Sequence, residues 1–343
     1  MPFPPKVNES IIVRRKFIRN ETALDFRYNF SQKRRCIMQI RTIAIIGAGA
    51  IGAYVYHGLY PLTESGNIRC CFIAEGERRK RLETNGLIIN EVQYHPEVCT
   101  PEEANGADLV LISVKYSALP SVLESVRTIA DSHTVVLSLL NGIDSEEILA
   151  EVIPASQIIY SLIRVSSQNL NGRITYNPAS AFGIWAGECG EYDQKEALHA
   201  LEQLFAGTDI PFHISEDIRK DQWHKFALNI SANLPQAVLN VGTGAYEDSG
   251  HVGWLRDALA SEVLKTAEAY GIHIEKVSYG NWKKNGRLST LQDLDRKQKT
   301  EVDMFLGVLM DKAAEKGISV PYSEYTFHAV KALEEKNEGR FDY

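Results

Sequence analysis

Cysteine is scarce in this chain and carries no pattern. Five occur in 343 residues, Cys36, Cys70, Cys71, Cys99 and Cys189, an odd number without a CxxC pair. Neither a disulfide framework nor a thiolate zinc site fits that usage, and a reducing, cytoplasmic setting does. Nine histidines lack HExxH or comparable spacing, so no metal is expected. No apolar run approaches the roughly 20 residues that a bilayer span needs, which argues against a membrane partner. Basic charge is also short outside one segment. Residues 1–37 hold nine Lys or Arg against three Asp or Glu, a balance of +6, so with a net charge of −7 the remainder carries −13. Nucleic acid is a poor partner for such a body, because phosphate neutralisation needs clustered cations. Local basic pockets for a small anion stay open.

The length and composition are those of a folded, two-domain protein. A single core seldom grows past about 250 to 300 residues, and 44% hydrophobic with 24% charged residues is globular usage. Residues 1–37 stand apart. They have no signal-peptide core, and Glu9, Glu21 and Asp25 count against a transit peptide, so the segment is expected to be a poorly ordered extension ahead of an internal start at Met38.

From Met38 the pattern sharpens. The β-prone run Ile43 to Ile46 leads into Gly47-Ala48-Gly49-Ala50-Ile51-Gly52, and helical spacing follows through Tyr54, Val55, Gly58 and Leu59. Strand, tight turn and helix are the setting that GxGxxG requires. The first glycine permits the turn, the second lets backbone approach a pyrophosphate, and the third lets helix sit close to strand. A second strand, "IRCCFIA", is predicted to end at Glu75. An acidic residue there accepts from the adenosine ribose hydroxyls and favours NAD, whereas basic residues favour the 2′-phosphate of NADP. Arg78, Arg79 and Lys80 follow at once, either as phosphate ligands or as a solvated charge run at a helix start.

Two further apolar runs, 107–115 and 134–142, flank a helical stretch and suit a parallel sheet covered on both faces. Their carboxyl ends carry Lys115 and Asn141, where such sheets bind ligands. The alternatives are a lysine leaving the core for water and an Asn-Gly turn. Strands are also expected at "QIIYSLIRVSS" and "GRITYN", joined by a turn at Asn171-Gly172, and the β pattern fades near Ser215. The expected architecture is an α/β Rossmann-type dinucleotide-binding domain over 38–215, followed by an all-α domain over 216–343.

The helical half opens with "QWHKFALNISAN", residues 222–233. Lys225, Asn229 and Asn233 are spaced by four, so at about 100° per residue they form one polar stripe roughly 80° wide. Such a stripe is either a wet helix face or the wall of a site. A long helix is expected from the Ser289-Thr290 cap to a stop at Gly317, with Glu301 on the same face as Phe305, Val308 and Leu309. A carboxylate on an apolar stripe calls for a partner, unless it is a boundary residue near the helix start.

"IAIIGAGAIGAY", "LISVK", "LLNGIDSEE", "QWHKFALNISAN" and "LQDLDRKQKTEVDMFLGVL" occur in this order, and the chain resembles the ketopantoate reductases from Met38 to about Lys336. The resemblance implies NAD(P)H-dependent reduction of 2-dehydropantoate, a small 2-oxo acid, to pantoate on the way to pantothenate and coenzyme A. It makes Lys225 the catalytic acid and Glu301 the carboxylate at the substrate's hydroxyl end, also beside the cofactor. Asn229 and Asn233 then help bind substrate, Ser289 contacts its carboxylate, and Lys115 and Asn141 lie near nicotinamide and substrate. A homodimer is a candidate assembly. Two positions depart from the family's usual run. Glu75 stands where many members carry Arg, so NADP(H) is expected on the strength of Arg78 and Arg79, with NAD(H) the close alternative. The segment "NLPQAVLNVGTG" differs after Asn233, which leaves Asn240 and Thr243 without assigned roles and the substrate range open. The competing readings are a reductase of the same fold for another 2-oxo or 3-hydroxy acid, and a non-catalytic dinucleotide sensor.

Overall fold

The computed structural model describes residues 38–343 apart from Asn171 and Glu191. The expectations for residues 1–37, and for Asn171 in its turn, lie outside the described residues. Among the described residues there are ten strands: β1 Thr42–Ile46, β2 Arg69–Ile73, β3 Leu87–Ile89, β4 Val92–Tyr94, β5 Glu97–Cys99, β6 Leu109–Ile112, β7 Val135–Ser138, β8 Ile158–Leu170, β9 Arg173–Gly187 and β10 Phe212–Ile214. Between and after them run α1 Ala50–Glu64, α2 Gly76–Asn85, α3 Leu119–Ile129, α4 Ser145–Leu149, α5 Lys195–Ala206, α6 Ile218–Leu239, α7 Ala245–Asp248, α8 Gly250–Ala269, α9 Ser289–Asp295, α10 Val308–Glu315 and α11 Pro321–Asn337.

The sheet order is β4-β3-β9-β8-β7-β6-β1-β2-β5, with β10 added beside β9. From β8 to β5 every neighbouring pair is parallel. Strands β1, β6 and β7 are buried along nearly their whole length, the burial expected of parallel strands covered on both faces. Each of these strands therefore ends in a loop at the same edge, the edge that carries Gly47, Ser113 and Asn141. The strand near "GRITYN" is much longer than its sequence pattern: β9 runs on to Gly187, antiparallel to β8, and receives β10 in parallel. The strand at 134–142 is shorter, since Leu139 and Leu140 are buried but already beyond β7. Likewise β2 stops at Ile73, and Glu75 is the residue ahead of α2.

Helix α6 begins at Asp217, whose carboxylate accepts from the Lys220 amide at 3.0 Å, and ends at Asn240 in the left-handed conformation. Trp223, Phe226, Ala227, Ile230 and Leu234 recur every three or four residues and are buried against Leu259 and Val263 of α8, with Phe305 and Leu309. Burial of each large side chain contributes about 1.5 to 3 kcal/mol. The opposite face of α6 is thereby fixed toward the sheet edge.

The expected single helix from Ser289 to Gly317 is broken. Helix α9 stops at Asp295, Lys297 adopts φ 54°, and helix resumes with a π-turn over Asp303–Gly307 before α10. Two bonds close α9 in a Schellman arrangement, Lys297 N to Leu294 O at 3.0 Å and Gln298 N to Asp293 O at 2.8 Å. The cause of the break lies on α11. Buried Glu334 accepts from the Thr300 amide at 2.7 Å and its hydroxyl at 2.6 Å, taking donors that a continuous helix would have used internally. Glu301 therefore sits in a pinned, non-helical segment and not on a helix face.

A second buried carboxylate ties α6 to the sheet. Glu146 accepts from Gln222 Nε2 at 2.7 Å, from the Ser161 amide at 3.3 Å and from Ser145 Oγ at 2.9 Å, and Gln222 also donates to Ser161 O at 2.9 Å. Burial raises the Glu146 pKa above the usual carboxylate range. Replacing Gln222 with Leu leaves this group short of a donor, and Gln222→Leu is expected to cost about 2 kcal/mol. Urea denaturation of that variant beside the exposed control Gln203→Leu tests it; equal stability of the two would show that the network does not anchor α6.

Candidate active site

At the first strand's end, Gly47 has φ 112°, and a Cβ there would stand 2.8 Å from the Ser113 carbonyl. A Cβ at Gly52 would meet Gly47 O at 2.0 Å. Both positions are closed to any larger residue. Gly49 differs: within 4 Å its Cβ would find Ser113 O alone, at 3.9 Å, so its outer side is open to a ligand. Ser113 Oγ donates to Gly47 O at 2.8 Å and holds the turn. No side chain caps α1 and no acidic residue occupies its first turn, so the amides beside Gly49, Ala50 and Ile51 face outward under the positive end of the helix dipole. Together with Ala48 these residues make a cradle that fits a pyrophosphate.

Next to it three sequence-predicted residues form a chain. Lys225 Nζ donates to Asn141 Oδ1 at 3.0 Å and to Ile163 O at 2.6 Å, and Asn141 Nδ2 donates to Glu301 Oε2 at 3.0 Å. The amide orientation has one solution here, because an ammonium only donates and a carboxylate only accepts. Burial, with Arg164 nearby, pushes the Lys225 pKa down to about 8, against the opposing pull of Glu301. The wet-face alternative for the stripe is thereby set aside. Asn233 is buried and donates to Ser289 Oγ at 3.1 Å, while partly buried Asn229, midway between Lys225 and Asn233, makes no hydrogen bond among the described residues. Its amide is available to a ligand. Lys115 projects from the loop after β6, and its Nζ reaches Lys299 O at 3.5 Å, across from the Glu301 segment. Glu75 is not part of this cluster; it is exposed at the end of β2.

Some contributors were not visible to sequence reasoning. The Ile163 carbonyl is backbone and leaves no residue-type signature. Ser113 is an ordinary strand-end serine until the glycine turn is folded beside it. Asp293 was discoverable, because it lies four residues after Ser289 on α9 and so on the same face. Burial raises its pKa to about 6, with Lys115 opposing the rise and Glu301 adding to it. Asn240, by contrast, caps α6 and accepts from Arg287 at 2.8 Å, a structural use.

A glycine cradle on a parallel sheet, with a lysine and a carboxylate beside it, defines the oxidoreductase class that works with a bound dinucleotide. Comparison with known proteins narrows this. The family model described as ketopantoate reductase PanE/ApbA matches residues 43–189, and its C-terminal counterpart matches residues 217–334. The chain belongs to the ketopantoate reductase PanE/ApbA family. It is 27% identical to the uncharacterised oxidoreductase YkpB of Bacillus subtilis (strain 168), over 84% of this chain and 98% of that protein. It is 25% identical to the 2-dehydropantoate 2-reductase of Archaeoglobus fulgidus, over 87% and 99%. Among solved structures, a D-mandelate dehydrogenase in ternary complex with NADH and anilino(oxo)acetate shares the fold, at TM-score 0.75 and 21% identity, over 87% and 99%.

The pinning of Glu301 by Glu334 has a measurable consequence. Glu334 also faces Lys331 Nζ at 3.1 Å, a cation that Asp303 holds as well at 3.0 Å, so Glu334→Ala strands the two Thr300 donors. A loss of about 2 kcal/mol is expected, with faster hydrogen exchange at the Thr300 amide. Unchanged denaturation and unchanged exchange would mean that the segment holds itself without α11.

Proposed function

We propose that the protein reduces 2-dehydropantoate to pantoate with NAD(P)H. The observation that supports this most is the Lys225–Asn141–Glu301 chain beside the glycine cradle. When bound, the dinucleotide supplies the hydride. The chain's own residues have three tasks. Lys225 holds a proton at the ketone oxygen and gives it up as negative charge develops there. Asn141 keeps the ammonium and the Glu301 carboxylate apart, so that the first stays aimed at the ketone oxygen and the second can accept from the substrate's distal hydroxyl. Asn229 and the Asn233–Ser289 pair hold the remaining oxygens, including the carboxylate, without adding charge that would shift Lys225. Lys115 offers the substrate carboxylate a cation at the mouth.

Retention of both Lys225 and Glu301 counts against a pure sensor, which needs no proton donor. A related reductase for another 2-oxo acid is separated by the substrate panel below. Among the described residues no helix is long and apolar enough to cross a membrane.

The expected result is oxidation of NAD(P)H on addition of 2-dehydropantoate, with kcat/KM higher than for other small 2-oxo acids; preference for another acid would transfer the assignment to it. Lys225→Ala should lose about 100-fold or more of kcat while its affinity for dinucleotide is kept. Near-normal turnover in that variant would remove Lys225 from the chemistry. The pH dependence has a definite sign. Burial and Arg164 disfavour the ammonium, so the acid form is present below the lowered pKa of about 8 and is lost as pH rises through it. Reduction should be level in mild acid and fall above pH about 8, while the reverse oxidation rises over the same range. A reduction rate that stays level to pH about 10 would contradict a depressed Lys225.

A further inference from the structure

The end of β2 is where a parallel nucleotide-binding sheet meets the adenosine ribose. What stands there in this chain is a carboxylate with nothing to do. Glu75 precedes α2 as its capping residue, yet its side chain makes no capping bond, and it has no hydrogen bond or ion pair among the described residues. It is exposed, and its two oxygens are free to accept.

The nearest cations are placed differently. Arg79, one turn further along α2, donates from Nε to Glu83 Oε1 and from Nη1 to Glu103 Oε2, both at 2.8 Å. Glu103 is itself held in place by the Thr100 amide at 2.7 Å. The guanidinium is thus clamped between two carboxylates, one on its own helix and one from the loop after β5. Lys80 pairs with Glu77 at 2.8 Å. Arg78 and Arg81, the other two cations of the run, are exposed without an ion pair among the described residues. An incoming 2′-phosphate would therefore meet the free Glu75 carboxylate, would find Arg78 and Arg81 in solvent where pairing contributes little, and would have to draw Arg79 away from two partners. Ribose hydroxyls, being donors, meet an open acceptor instead.

We propose that Glu75 selects NAD(H) over NADP(H), accepting from the adenosine ribose hydroxyls while Glu83 and Glu103 withhold Arg79 from any 2′-phosphate. This rests on the dinucleotide reading of the glycine cradle. It reverses the preference suggested by the basic run in the sequence, because Arg79 and Lys80, two of the four cations in that run, are spent.

Equilibrium binding of NADH and NADPH to the full chain, followed by quenching of protein fluorescence, tests the assignment without turnover. NADH should bind about tenfold or more tightly than NADPH. Glu75→Arg should reverse the order, and Glu83→Gln with Glu103→Gln should free Arg79 and tighten NADPH alone. Arg79→Ala should leave NADPH affinity where it was. Tighter binding of NADPH by the unaltered chain, or a large loss of NADPH affinity in Arg79→Ala, overturns the selection and leaves the dinucleotide site standing. Binding of neither dinucleotide overturns both the selection and the dinucleotide site.

Discussion

The site depends on one neutral amide set between opposite charges. Asn141 receives Lys225 on its oxygen and offers its nitrogen to Glu301, each at 3.0 Å. Without it, an ammonium and a carboxylate on facing elements would close into an ion pair. Such a pair would hold the lysine protonated to high pH and turn both groups away from any ligand. With the amide between them, Glu301 keeps one fixed hydrogen bond and Lys225 two, the second to Ile163 O, and each retains a free direction toward the cleft. The depressed Lys225 pKa follows from this, since burial and Arg164 act on it more strongly than a carboxylate held one amide away.

Three separate parts of the chain must agree to place that amide. The loop after β7 supplies Asn141, α6 supplies Lys225, and the broken segment between α9 and α10 supplies Glu301. Two buried carboxylates secure the last two. Glu146 binds Gln222, one helical turn before Lys225, and Glu334 binds Thr300, the neighbour of Glu301. Both are costly to bury, and both are compensated by backbone, side-chain amide and hydroxyl donors. The stability of the fold and the aim of the site are therefore fixed by the same bonds.

The sequence made some of this legible. The glycine turn and the stripe on α6 are local patterns that appear where the sequence put them, while Lys115 and Asn141 lie in the loops just past β6 and β7 and not at strand ends. The break at 296–302 was legible only as a wholly polar run, 295–301, which suits a solvated turn of one continuous helix as well as it suits a break. What ends α9 is a left-handed Lys297, a residue type that does not announce that conformation, together with a carboxylate on a helix some thirty residues later. The length of β9 was hidden for a similar reason: its second half is specified by pairing with β8 and β10, not by its own alternation. Asp293 was within reach of helical spacing from Ser289, but only once Ser289 itself was taken as part of a site.

If the proposed 2-oxo acid is the substrate, an acidic body has to admit an anion, and the candidate site bears on that locally. Outside residues 1–37 the chain carries −13, so its long-range field would repel a 2-oxo acid. Over the last few ångströms, however, Lys225 and Lys115 face Glu301 and Asp293, and because burial raises Asp293 to about 6 the two lysines come to outweigh the carboxylates as pH falls through that value. Glu301 is the remaining carboxylate, and its nearest oxygen is already engaged by Asn141. Screening by salt weakens the distant repulsion far more than these buried contacts. Capture is therefore governed by the cluster and not by net charge.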